Sequence, residues 1–177
     1  MKQATACAVA VLIFLIGLTG CTKKLDWAEY SSDTGRFTAL MPGDPKTEMQ
    51  SIPTAVGSID MYFFSVDQPN VSFAVAYADY PSEIISKVSA SALLDAGRNG
   101  ALANVKGKLE RKVDVFFGTD PGQEFWFKAN VRNMPGYGHA VVMLRGARLY
   151  QMLVVGLEAT FPAEDAQKFL DSIDIWN

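Results

Sequence analysis

Between residues 107 and 157 the chain offers four strand-like runs in succession, at 107–117, 123–131, 139–145 and 149–157. Their connections are GTDPG at 118–122, NMPGYG at 133–138 and GAR at 146–148. A parallel pair of strands needs a crossover of a dozen or more residues, usually a helix. None of these connections has room for one, so each strand must fold back antiparallel on its predecessor. A doubly wound parallel sheet is excluded for this half of the chain.

The first half repeats the pattern. A strand at 36–40 is followed by a turn built from Pro42, Gly43 and Pro45. KTEMQSIPT at 46–54 reads as a second strand ended by Pro53. A hairpin follows, with arms at 58–66 and 71–80 and DQPN at its turn. In the second arm Val71, Phe73, Val75 and Tyr77 alternate with Ser72, Ala74, Ala76 and Ala78. Period two sends the bulky set to one face and the small set to the other. A face of alanines lets a helix pack close, so this sheet is expected to be covered on both sides.

Residues 82–104 are rich in Ala, Leu and Ser, with Ile85, Val88, Ala92 and Ala96 at helical spacing. They predict a helix, frayed or broken near Gly97 and Gly100. The chain closes on a second helix, with Pro162 in its first turn and Glu164 and Asp165 favouring the positive end of its dipole. Ala166, Phe169, Leu170 and Ile173 give that helix an apolar stripe. The order β-β-β-β-α-β-β-β-β-α is an α+β pattern with a mostly antiparallel sheet.

The framework GRFTALMPGDP at 35–45, with DPGQEFWF at 120–127, RLYQMLVVG at 148–156 and FLDSI at 169–173, resembles the PsbP-like group. That group takes its name from an extrinsic subunit of the oxygen-evolving photosystem and includes many small bacterial lipoproteins. The resemblance runs from Trp27 to Trp176. It implies an α/β/α sandwich around an antiparallel sheet, a role as a binding or assembly accessory, and no catalytic residues. It also implies Pro-Gly-Arg-Glu in the middle motif; here Gln123 stands in the arginine's place.

The N-terminus bears on location. Lys2 is the only charge before Cys21, and residues 4–20 are apolar apart from Thr5 and Thr19. This is the grammar of a secretory signal, and the run is short of the ~20 residues that span a bilayer comfortably. Leu18-Thr19-Gly20-Cys21 resembles the lipobox of bacterial lipoproteins. Small residues admit the backbone to a peptidase, and the Cys21 thiol would carry a diacylglycerol thioether. Cleavage between Gly20 and Cys21 would free an amine for further acylation. A retained signal anchor and a plain secreted protein are the alternatives. Two or more acyl chains hold a protein stably on a membrane, where one does not. The lipobox resemblance implies inner-membrane retention by an aspartate after the cysteine; Thr22 stands there, which points to the periplasmic face of the outer membrane.

The expected organisation is therefore a signal peptide at 1–20, a lipid-proximal linker at 21–26 and one domain at 27–177. Removing residues 1–20 from the 177 leaves 157, and the 16 basic residues become 15 without Lys2, against 19 acidic ones. The balance of −4 does not suggest a nucleic-acid partner, since phosphate contacts need clustered Lys and Arg. The nearest cluster, KGKLERK at 106–112, reads as one solvated strand face. With Cys7 lost and Cys21 lipidated, the domain has neither thiol nor disulfide.

Candidate chemistry is sparse, and no cofactor or metal pattern is present. Asp33-Thr34-Gly35 spells the aspartic-protease triplet, but that mechanism needs two aspartates sharing a proton; before a strand, Asp and Gly make a turn. His139, the single histidine, reads as a surface or strand-end residue with no nucleophile in context. Glu124, Lys128 and Arg132 share parity along one strand with Trp126 and Asn130 between them. Glu124, Trp126, Lys128 and Arg132 are the candidate ligand or partner face, with a plain solvated face as the alternative. Phe63, Phe64, Phe116, Phe117, Phe125, Trp126 and Phe127 are expected in the core, and the Asn70 sequon is a coincidence. The best-supported function is a membrane-anchored envelope accessory that binds a protein or small ligand. A structural or stress-related lipoprotein without a specific ligand, and an enzyme using a carboxylate or His139, are the alternatives.

Overall fold

The structure, a computed structural model, describes residues 24–54 and 57–176. Residues 1–23, which hold the expected signal peptide, Cys21 and Lys23, lie outside the described residues. Strands β1 (Ala28–Ser32), β2 (Phe37–Met41), β3 (Lys46–Thr54), β4 (Gly57–Asp67) and β5 (Val71–Asp79) precede helices α1 (Ser82–Ile85) and α2 (Ala90–Asn104). Strands β6 (Lys108–Phe117), β7 (Asp120–Val131), β8 (Met134–Arg145) and β9 (Arg148–Leu157) follow, then a 3-10 turn, helix α3 (Ala163–Leu170) and the short β10 (Asp174–Ile175).

Seven strands form one antiparallel sheet in the order β3-β4-β5-β9-β8-β7-β6. Two meanders are joined through β5 and β9, which pair from Val71↔Gly156 to Asp79↔Arg148. The chain must therefore leave β5 at the centre and re-enter at the far edge, β6. Four strand spacings make about 19 Å, and the 15 residues of α2 rise about 22 Å. The helix is the length the crossing demands. It lies over β7, β8 and β9.

Each face of the sheet carries its own core. On one face Phe64, Phe73, Val75, Tyr77, Met152 and Val154 pack against β2 (Phe37, Ala39, Met41) and α3 (Phe169, Leu170). Here the cover is partly a second, three-stranded sheet, β1-β2-β10, which the sequence pattern did not separate. On the other face Phe125, Phe127, Val142, Leu144 and Leu149 pack against Leu93, Leu94, Ala101 and Leu102 of α2. The class is α+β, with an antiparallel seven-stranded sheet between two covering layers.

Several local expectations need correction. The helix predicted at 82–104 breaks at residues 86–89, where Ser89 Oγ accepts from the Ala92 amide at 3.3 Å and caps α2. It runs unbroken through Gly97 and Gly100. Pro53 does not end β3 but pairs with Ser58 inside it, as an edge strand allows. Phe116 is 72% exposed, because β6 is the sheet edge and nothing covers its end. The basic 106–112 stretch lies on that exposed edge as expected. No helix among the described residues is long and apolar enough to cross a membrane.

Candidate functional site

Strand β7 sorts its side chains by parity. Gln123, Phe125 and Phe127 turn under α2, and Glu124, Trp126 and Lys128 turn to the opposite face. Across the β7–β8 ladder Trp126 pairs with His139. The two rings stack with centroids 4.5 Å apart and planes 20° from parallel. From β6, the Arg111 guanidinium lies 3.6 Å over the other face of Trp126. Guanidinium, indole and imidazole form one layered stack.

Glu124 Oε1 lies 2.7 Å from His139 Nε2. The single histidine is therefore not a surface residue: it is 5% exposed in mid-strand. The correction has a packing cause. Strand β8 begins at Met134, so the predicted turn PGYG is part of the ladder. Gly138 is there because the Phe127 ring lies flat against it; a Cβ would sit 2.0 Å from Cζ. Burial pulls the imidazole pKa below its usual value, and the bond to Glu124 opposes that only in part. A neutral imidazole meets a carboxylate only as the Nε2–H tautomer, so His139 donates and Glu124 accepts.

Lys128 pairs with Glu158 and sits 5.2 Å over the Tyr137 ring. Arg132 leaves the group. It falls in the β7–β8 turn with φ of 53°, and its Nη1 donates to the Pro69 carbonyl at 2.9 Å. The structure thus brings Glu124, Trp126 and Lys128 to one face, adds His139 and Arg111, and sends Arg132 to pin the β4–β5 turn. The Asp33-Thr34-Gly35 triplet is a turn bolted to β9, since Arg148 donates to Thr34 O and Tyr150 to Gly35 O at 2.9 and 2.8 Å.

Under α2 a second polar group is buried. Gln123 is 1% exposed; its amide donates to Asp95 Oδ1 at 2.9 Å and its Oε1 accepts from Arg98 at 2.8 Å. The Gln123 and Arg98 bonds hold the Asp95 carboxyl below its ordinary pKa. A cation does reach this position, carried by α2 in place of β7. Arg98 Nε is buried without a partner among the described residues.

The same face of the sheet holds a cavity of about 350 Å³, between α2 and the β3–β4 side. Ile59, Met61, Ala78 and Leu149 line its sheet wall, and Ala92, Ala96 and Gly100 its helix wall. The alanine row of β5 was expected to seat a helix. Instead α2 sits over β7 to β9, and Ala78 floors the cavity beside it. Polar character comes from Tyr80, Asn104 and Gln151. The stripe Val88, Ala92, Ala96 read from the sequence faces this cavity, whereas the residues that anchor the helix are Leu93, Leu94 and Leu102. The four-residue spacing of Ala92, Ala96 and Gly100 was the available signal. Among the described residues no three His, Cys, Asp or Glu could together hold a metal ion.

These layers define a PsbP-like α+β fold. Among solved structures the chain is similar to cyanobacterial PsbP (CyanoP) from Synechocystis sp. PCC 6803, with TM-score 0.59 and 12% identity over 91% of this chain and 99% of that one. It is also similar to a protein of unknown function from Pseudomonas aeruginosa, with TM-score 0.42 and 11% identity over 80% of this chain and 90% of that one. At 12% identity the likeness to CyanoP is one of fold. No family model matches the chain, and no curated protein matches it.

Proposed function

We propose that this protein is a lipid-anchored accessory of the bacterial cell envelope, which binds a ligand or partner without transforming it. The observation that carries the reading is the Leu18-Thr19-Gly20-Cys21 boundary at the end of an N-terminal apolar run. The start of the folded domain supports it. Leu25 and Trp27 pack against the main core, and the Lys168 ammonium lies 4.7 Å over the Trp27 ring. Only Thr22, Lys23 and Lys24 then separate Cys21 from packed chain. Four steps of extended backbone reach at most about 14 Å, so the domain is held against the lipid surface. Lys24 is exposed, and each lysine near an anionic leaflet adds about 1 kcal/mol of attraction.

A domain so placed has two surfaces for partners. One is the Glu124–Trp126–Lys128 face, extended by Arg111. The other is the cavity beside α2, whose lining offers apolar contact and hydrogen-bonding groups, the equipment of a binding site.

The test is chemical. Mass spectrometry of protein taken from its native membrane should find the mature chain starting at Cys21 and carrying acyl mass. A Cys21→Ser variant should keep its full precursor length and carry no lipid. A mature terminus elsewhere, or an unmodified Cys21, overturns the reading.

A further inference from the structure

The cavity beside α2 has a shape and chemistry that select a ligand. Its helix wall is Ala92, Ala96, Gly100 and Asn104, one residue per turn. Twelve residues of helix rise about 18 Å. A volume of about 350 Å³ drawn out over that length is a slot. It stands near the lower end of the roughly 300–1,000 Å³ of small-molecule sites. Its other walls are aliphatic: Ile52, Ile59, Met61, Ile84, Val88 and Leu149.

No Lys, Arg, Asp or Glu is among the lining residues. Burying a charged group there without a partner would cost far more than burying a neutral one. Hydrogen-bonding capacity is nevertheless present and unused. Gln151 is 7% exposed; its Nε2 donates to Gly97 O at 3.0 Å, and its Oε1 has no partner among the described residues. The Tyr80 hydroxyl likewise has none, and burial raises its pKa, so it stays a donor. Arg98 Nε is the one buried side-chain nitrogen or oxygen without a partner among the described residues, so both oxygens are open to the slot, where the polar end of a ligand can replace water.

The slot also avoids closure by its own sequence. A Cβ at Gly100 would meet nothing within 4 Å, whereas one at Gly97 would lie 2.7 Å from Leu149 Cδ2. Gly97 is small because the helix touches the sheet there. At Gly100 a larger residue would fit and would fill the space, and Ala96 stands one turn away on the same wall.

We infer that the slot between α2 and the β3–β4 side binds one uncharged aliphatic chain, its polar end hydrogen-bonded by Gln151 Oε1 or the Tyr80 hydroxyl. This names a ligand for the binding role proposed above. It is tested separately from the anchor, because labelling inside the slot does not depend on what Cys21 carries.

The experiment uses the full chain in its native membrane and a long-chain aliphatic alcohol bearing a diazirine. After illumination, adducts should map to the peptides containing residues 92–104 and 52–61. Unlabelled dodecanol should compete, and dodecanoate at the same concentration should compete less. Gly100→Leu should lower the adduct yield roughly tenfold, with thermal unfolding unchanged or raised; Ala96→Leu is the second filling variant. Glu164→Gln, exposed on α3 across the sheet, should leave labelling intact. Adducts spread over the exposed surface overturn the inference, as does yield unaltered in both filling variants. Equal or better competition by dodecanoate overturns the uncharged assignment.

Discussion

His139 is held neutral by what surrounds it. Burial is the main cause and the Arg111 charge of β6, beyond the Trp126 indole, adds to it, while Glu124 of β7, which accepts from Nε2–H, and more weakly Asp171 beyond α3 favour the charged form. In the unfolded chain an imidazole protonates near pH 6.5; in the fold burial lowers that value. As pH falls, the unfolded state takes up the proton first. Stability is therefore full above about pH 6.5 and declines as pH drops toward the folded-state value. Unfolding free energies from urea titrations between about pH 7.5 and 5.5 should fall more steeply for the native protein than for His139→Gln, with a difference in slope of at most about 1.4 kcal/mol per pH unit. Parallel curves would show that His139 carries no such linkage. The sequence could not foresee this pair, because Glu124 and His139 meet only through the β7–β8 register. Gln123 is the complementary case. Its departure from the resembled motif was visible, but the Arg98 that supplies the cation lies 25 residues away on a helix.

At the scale of elements, α2 shows how packing overrides propensity. Glycine costs a helix interior about 1 kcal/mol relative to alanine, which is why Gly97 and Gly100 predict a break. Tertiary contact decides otherwise, and differently for the two. Gly97 lets the helix touch Leu149 and Val142, and a side chain there must push into a closed core. Gly97→Val is expected to destabilise by about 1–3 kcal/mol. Gly100 faces open space, so Gly100→Ala should stabilise by about 0.5–1 kcal/mol through helix propensity alone. Chemical denaturation of both variants checks the contrast, and the same sign for the two would refute this account of the helix. The long hairpins were legible because period two and turn residues are local signals. Strands β1 and β10 were not. Both exist by pairing with β2, and β10 is two residues whose partners, Phe37 and Thr38, lie at the other end of the chain.

At the scale of the whole molecule, the proposed anchor fixes which surface meets the lipid. Trp27 packs edge-on against Phe73, with ring centroids 5.4 Å apart, so its depth reports the depth of the domain. With Trp126→Phe and Trp176→Phe, Trp27 becomes the only one of three tryptophans left. A vesicle lipid carrying a nitroxide on its headgroup should then quench Trp27 strongly in the acylated protein. Inserting ten Gly/Ser residues between Thr22 and Lys23 adds a flexible spacer whose root-mean-square span is about 17 Å. The spacer should largely relieve the quenching while leaving thermal unfolding unchanged, because Leu25 and Trp27 keep their places in the core. Quenching that survives the spacer would mean that some other surface holds the domain to the bilayer. The short linker would then not set its orientation.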